Sequence, residues 1–249
     1  MTDDHTLAAE LATAAGDLLL RTRDQHAGID PKELKDIGDQ VAHDFLMAEL
    51  AKARPQDAVL SEEGADDHAR LTAARVWIVD PLDGTREFSE AGRDDWAVHV
   101  ALWQDGQLVA GAVGRPAKDV TYSSADNAPA AGTTGAPLRL AVSRSRPPEF
   151  VTLLADHLGA ELVEMGSAGV KAMSVLEGQT DAYVHAGGQY EWDSAAPVAV
   201  ASAHGLHTSR IDGSRLVYNN ENPYLPDLVV CRPEVAETVL EGIRAVNRG

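Results

Sequence analysis

Trp77-Ile78-Val79-Asp80-Pro81-Leu82-Asp83-Gly84-Thr85-Arg86-Glu87-Phe88 is the stretch on which the reading of this chain turns. An apolar, β-branched run that ends in a carboxylate reads as a buried strand delivering Asp80 to its tip. Pro81 stiffens the turn, and Asp83 follows directly before Gly84-Thr85. Two carboxylates held that close repel one another unless a cation is shared between them, so a hard, oxygen-ligated metal is the simplest physical explanation. Gly84 has no β-carbon, which lets the backbone N–H groups after it approach an anion, above all where a helix begins. The plain alternative is a turn in which Asp80 and Asp83 only cap backbone donors. An EF-hand is excluded, because its loop needs ligands at alternate positions and Leu82 stands at the third.

Working outward, Ala58-Val59-Leu60 reads as a strand, and Ser61-Glu62-Glu63-Gly64 at its end puts further acid beside Asp80. Downstream, Trp192-Asp193-Ser194-Ala195-Ala196-Pro197 places Asp193 at the start of an Ala-rich helix expected from Ser194 to His204. Asp39 stands at the start of a helix expected from Asp39 to Ala53. Singly, Glu62 and Glu63 read as solvated surface acids, and Asp193 and Asp39 as N-caps. Their joint occurrence at strand tips and helix starts favours one shared site.

An amphipathic helix is expected from Thr6 to Arg23, with Leu7, Leu11, Ala14, Ala15, Leu18 and Leu19 on its apolar face. Strands follow at Trp96–Trp103 and Leu108–Val113, joined at Asp105-Gly106, then at Val120–Ser123 and Leu138–Val142. A linker near Asn127–Pro137 divides the chain into an N-terminal α+β half, 1–137, and a C-terminal α/β half, 138–249. In the second half, helices at Pro148–Leu158 and Lys171–Glu177 alternate with strands at Glu161–Met165 and Asp181–His185. The Ala-rich helix, a strand Asp227–Cys231 and a helix from Pro233 complete it.

With 39 Asp+Glu against 21 Lys+Arg the net charge is −18, which argues against nucleic acid or an anionic membrane as a partner. A 44% hydrophobic content excludes intrinsic disorder. One cysteine, Cys231, rules out a disulfide framework and fits a reducing compartment. The acidic N-terminus is unlike a signal peptide and no run approaches the ~18 apolar residues of a membrane span, so the expectation is cytoplasmic. His204 and His207 are separated by a helix-ending Gly205, a poor zinc pair, and Gly166–Lys171 lacks P-loop spacing. Trp77, Trp96 and Trp103 read as core, while Trp192 reads as a buttress for Asp193.

The run Asp80-Pro81-Leu82-Asp83-Gly84-Thr85, with Glu62-Glu63 upstream and Trp192-Asp193-Ser194-Ala195-Ala196 downstream, resembles the signature of the inositol monophosphatase superfamily of lithium-sensitive, magnesium-dependent phosphatases. Gly166-Ser167-Ala168-Gly169-Val170-Lys171 and Gly178-Gln179-Thr180-Asp181-Ala182-Tyr183 resemble the segment that family carries between the two motifs. Arg86-Glu87-Phe88 after the Thr is similar to the CysQ-type branch, the phosphatases of 3′-phosphoadenosine 5′-phosphate (PAP).

The resemblance implies a layered αβαβα sandwich of the inositol monophosphatase and sugar phosphatase type, with the site between the halves. It implies Mg²⁺, two or three ions. Glu62, Asp80 and the Leu82 carbonyl would hold the first, and Asp80, Asp83 and Asp193 the second. Thr85 paired with Asp39 would activate water, and the N–H groups of Gly84 and Thr85 would grip phosphate. Arg86, Lys171 and Arg210 are candidates for a second phosphate; Gly166, Ser167 and Glu191 are candidates for other substrate contacts. The segment Asp30–Asp39 departs from the branch, leaving a third metal site and the role of Asp39 open, with a mobile lid as the expectation there. The implied activity is hydrolysis of PAP to AMP and phosphate, a 3′(2′),5′-bisphosphate nucleotidase that clears an inhibitory by-product of sulfate assimilation. Inositol 1-phosphate or fructose 1,6-bisphosphate is the alternative substrate, and a non-catalytic divalent-cation module the alternative class. A homodimer is also carried by the resemblance.

Overall fold

Helix α1, Asp4–Gln25, buries Leu7, Leu11, Ala12, Ala15 and Leu19 along one face, and Asp3 caps it by accepting the Thr6 N–H at 2.9 Å. Helix α2 runs Pro31–Ala53, well ahead of the expected start at Asp39. Asp30 accepts the N–H groups of Lys32 and Glu33 at 2.9 and 3.3 Å, and Pro31 takes the first helical position. Residues 30–39 therefore form the cap and first turns of α2 rather than a lid, and Asp39 lies inside the helix instead of capping it. Gly38 permits this, since a β-carbon there would stand 2.7 Å from Phe88 and 2.9 Å from Leu82.

The computed structural model describes residues 2–126, 130, 137–145 and 147–247, so the expected linker lies almost wholly outside the described residues. Before it comes a sheet of β1 (Ala58–Ser61), β2 (Arg75–Asp83), β3 (Ala97–Gln104), β4 (Gln107–Arg115) and β5 (Val120–Ser123), in that spatial order. β1 and β2 are parallel and the remaining pairs antiparallel. Trp77 and Val79 face the cluster beneath α1 and α2, while Val76 and Ile78 face the molecular centre. Both faces are covered, which is why the strand reads as an unbroken apolar run. A short helix, α3 (Thr85–Ser89), follows β2.

The second sheet has the order β7-β6-β8-β10-β9, built from β6 (Arg139–Ser143), β7 (Glu161–Met165), β8 (Ala182–Tyr190), β9 (His207–Ser209) and β10 (Tyr224–Cys231). Helices α5 (Ala168–Leu176) and α6 (Glu191–Ala203) lie between the sheets; α4 (Glu149–Leu158) and α7 (Ala236–Val246) cover the outer face of the second. α6 comes so close to β4 that a β-carbon at Gly111 would sit 2.6 Å from that of Ala199. The layers thus run helix, sheet, helix, sheet, helix, the expected αβαβα order, with an apolar cluster under each outer helix pair and one around α5 and α6.

Trp77 and Trp96 are fully buried, and Trp103 packs against the central cluster. Several boundaries differ from expectation. Ser167 accepts the Val170 N–H at 3.0 Å and starts α5 at Ala168 rather than Lys171. β8 continues past His185 to Tyr190 because β10 pairs with it back to Tyr224, through a register shift near Asp227. β9 was not expected; three residues carry no periodicity. No helix among the described residues is long and apolar enough to cross a membrane.

Candidate active site

Asp80 and Asp83 stand three positions apart, an odd offset that on a regular strand sends two side chains to opposite faces. Here β2 is bulged: Asp80 pairs with His99 and Asp83 with Ala97, so Pro81-Leu82 inserts one extra residue. Both acids consequently reach one cavity. The Leu82 N–H donates to Asp80 Oδ1 at 3.0 Å and holds the bulge. Asp193, at the third position of α6, supplies the third acid, and carboxylate oxygens of Asp80, Asp83 and Asp193 all lie within 4.8 Å of one another. The Tyr190 N–H donates to Asp193 Oδ2 at 2.7 Å, so this side chain caps its helix as well as facing the cavity. Glu62 follows Ser61, the β1 partner of Val79, and its charge acts on Asp80 from just outside the tight triad.

The electrostatics are those of acids without enough counter-charge. Burial, then Glu62 and Asp83, raise Asp80 well above the ordinary carboxylate range. Burial and the Asp83 charge push Asp193 up to about 6, and burial of its carboxyl, then the Asp193 charge, push Glu62 up to about 8, although the residue as a whole opens to solvent. Asp83 alone goes down. Against its burial, it faces His99 Nε2 at 3.2 Å and accepts the Gly169 N–H at 2.7 Å and the Ser167 hydroxyl.

Gly84 turns the chain after β2 with φ +91, and Thr85 opens α3. Gly38 of α2 packs on Phe88 of α3, which brings Asp39 alongside; burial and then Glu63 push Asp39 up to about 7. No hydrogen bond joins Thr85 and Asp39 directly among the described residues. Next to the triad lies a cleft of about 540 Å³ whose lining includes Gly166, Ser167, Lys171, Tyr183, Pro147 and Pro148.

Asp80, Asp83 and Asp193 thus meet, with Glu62 at the neighbouring tip of β1; Asp83, Asp193, Gly166 and Ser167 line the cleft, while Leu82, Gly84 and Thr85 lie on the chain around Asp83 and are not among its lining residues. Lys171 reaches the same cleft, but it is buried and its ammonium donates to the Gly166 carbonyl at 3.3 Å and to that of Ser167. Glu191 does not fit the expected ligand contact. It is fully buried, and its oxygens accept the Asn219 and Asn220 N–H groups at 2.6 and 2.8 Å. Arg86 is exposed on α3, and Arg210 pairs with Asp227 at 2.6 Å in the second sheet, away from the cleft. Trp192 stacks on Tyr190 at 4.8 Å. His99 was missed: its ring spans Asp83 and the Trp192 carbonyl, 3.1 Å from Nδ1, yet in sequence it is one polar residue in an apolar strand.

An all-oxygen donor set, short of positive partners at Asp80, Glu62 and Asp193, fits a hard divalent cation. Comparison with known proteins agrees. Over 98% of its length the chain is 51% identical to a 3′-phosphoadenosine 5′-phosphate phosphatase of Mycobacterium leprae, covering 94% of that protein. It is 32% identical to the 3′(2′),5′-bisphosphate nucleotidase CysQ of Escherichia coli K12, over 87% of this chain and 94% of that one. CysQ from Bacteroides thetaiotaomicron superposes with a TM-score of 0.79 at 27% identity, covering 92% of this chain and 97% of that chain. The model of the inositol monophosphatase family matches residues 2–246. A bulged strand that gathers acids from distant segments is therefore built here on a shared plan, and the chain belongs to the inositol monophosphatase family.

Proposed function

We propose that the chain is a Mg²⁺-dependent phosphomonoesterase that removes the 3′-phosphate of PAP, giving AMP and inorganic phosphate. The observation that carries this reading is the convergence of Asp80, Asp83 and Asp193 within 4.8 Å, with Glu62 at the neighbouring tip of β1. The PAP phosphatase relative at 51% identity supports the substrate. Family members use Mg²⁺. Bound divalent ions, two as the working count, supply neutralisation of phosphate charge and a more acidic water.

The chain's own residues do the rest. Asp80, Asp83, Asp193, Glu62 and the Leu82 carbonyl would hold the cations. The N–H groups of Gly84 and Thr85 receive phosphate oxygens and fix the phosphorus for in-line attack. The Thr85 hydroxyl orients the attacking water, and Asp39, pushed up to about 7 in the cation-free chain, lies on the neighbouring helix to take up the proton relayed from it. The water oxygen bonds to phosphorus as the bond from phosphorus to O3′ breaks, and the ribose oxygen takes a proton from solvent and leaves as a hydroxyl. Tyr183, Pro147 and Pro148 give the adjoining cleft flat apolar walls suited to a nucleobase. Lys171 adds positive charge beneath it.

Phosphate release should be compared for PAP, inositol 1-phosphate and fructose 1,6-bisphosphate, with Mg²⁺ and with chelator. The expected result is strict Mg²⁺ dependence and a preference for PAP above tenfold, about 1.4 kcal/mol in transition-state binding. Equal rates would overturn the substrate assignment. Cation binding without turnover on any of them would leave only a cation-binding module.

A further inference from the structure

Arg70, in the helical turn His68–Thr72 after β1, is a buried cation that the chemistry above does not use. Its guanidinium is a junction. Nε and Nη2 donate to the Asp66 carboxylate at 2.7 and 2.9 Å. Nη1 donates to Asn219 Oδ1 at 2.7 Å, and Nη2 also reaches the Asn220 carbonyl at 2.9 Å. Asn219 and Asn220 are the residues whose N–H groups clamp Glu191, and the Asn220 side-chain amide adds a bond at 2.7 Å. Glu191 opens α6, the helix that presents Asp193. Asp66 lies one short stretch beyond Glu62, and the near end of that stretch is pinned where His43 Nδ1 meets the Ser61 hydroxyl at 3.0 Å.

We propose that Arg70 is a positioning residue for the cation-binding acids. Through Asp66 on one side and the Asn219–Glu191 clamp on the other, it sets the separation between Glu62 and Asp193. Those two side chains stand close enough to repel, and the strand end and helix start that carry them have no chain connection nearby. A planar fork with several fixed donors suits a rigid spacer; a lysine ammonium would keep the charge and lose the geometry. This inference rests on the metal-site reading given under Proposed function.

The test uses the full chain with Arg70→Lys and, separately, Asn219→Gly. Asn219 has φ 63, which glycine adopts freely, so this second variant removes the side-chain amide, both the Oδ1 acceptor and the Nδ2 donor to the Arg70 carbonyl at 3.3 Å, and leaves the N–H on Glu191. Mn²⁺ affinity of the substrate-free protein is read by electron paramagnetic resonance, beside the Mg²⁺ activation midpoint for phosphate release. Each variant should bind Mn²⁺ at least tenfold more weakly, with kcat at saturating Mg²⁺ within about threefold of wild type. The double variant should fall short of the product of the two effects, because both cut one tie. Wild-type Mn²⁺ affinity in both folded variants, whatever their melting temperatures, would overturn the proposal. A wild-type protein that binds Mn²⁺ but does not hydrolyse PAP would overturn the substrate reading instead, leaving the Mn²⁺ arm to decide on Arg70.

Discussion

Thr85 and Asp193 lie in one site but do different work, and substitution separates them. Thr85→Ala removes a hydroxyl that orients water and no carboxylate, so turnover should drop by on the order of 10³ with Mn²⁺ affinity little changed. Asp193→Asn removes one of the three acids and should lose both together. Calorimetric Mn²⁺ titration beside phosphate release checks the contrast; equal loss of both in Thr85→Ala would contradict the water-orienting role. Titration of the chelated protein gives a second expectation. Asp39 at about 7 and Glu62 at about 8 keep protons in the folded, cation-free chain that the unfolded chain has already released. The folded state then binds more protons, so stability falls as pH rises through these values. His99, also raised, acts in the same direction; His185, lowered to about 4, opposes it only below the ordinary histidine value of about 6.5. Melting temperature in chelator should therefore decline between about pH 6.5 and 8.5, and Mg²⁺ should flatten the slope. A rise over that range would contradict the picture of under-compensated acids.

At the scale of elements, α2 and α3 meet at Gly38. An exposed helix glycine usually gains ~1 kcal/mol on becoming alanine, but here the β-carbon would enter Phe88 and Leu82 at 2.7 and 2.9 Å. Overpacking of about 1–3 kcal/mol should win, so Gly38→Ala should melt earlier and turn over more slowly as Asp39 shifts against Thr85. A variant more stable than wild type with full activity would contradict that packing. The same helix shows where sequence reading stops. Asp30-Pro31 carries a proper cap and first-turn signal, yet Gly38 and the polar run before it hid the continuity, which only the close approach of Phe88 explains. The β2 strand was legible because it is buried on both faces and ends in two acids. The extension of β8 to Tyr190 was not, because it depends on pairing with β10 across Gly187-Gly188.

Across the whole molecule, an α+β half followed by an α/β half was legible from the change in periodicity and the αβαβα order from the family resemblance, whereas the site's internal supports were not. His99, Arg70 and the Asn219–Glu191 clamp act through contacts between residues far apart in the chain, and no local pattern marks them. Glu191 shows the cost of carrying a role across by motif alone, since its neighbours here occupy it fully. A net charge of −18 does not by itself make a metal site; the fold does, by bringing the tips of β1 and β2 and the start of α6 together between the sheets. That convergence is tested most directly by anomalous diffraction from crystals soaked in Mn²⁺. The account predicts anomalous peaks within coordination distance of Asp80, Asp83 and Asp193, one of them also touching Glu62; Mn²⁺ found only elsewhere on the acidic surface would contradict it.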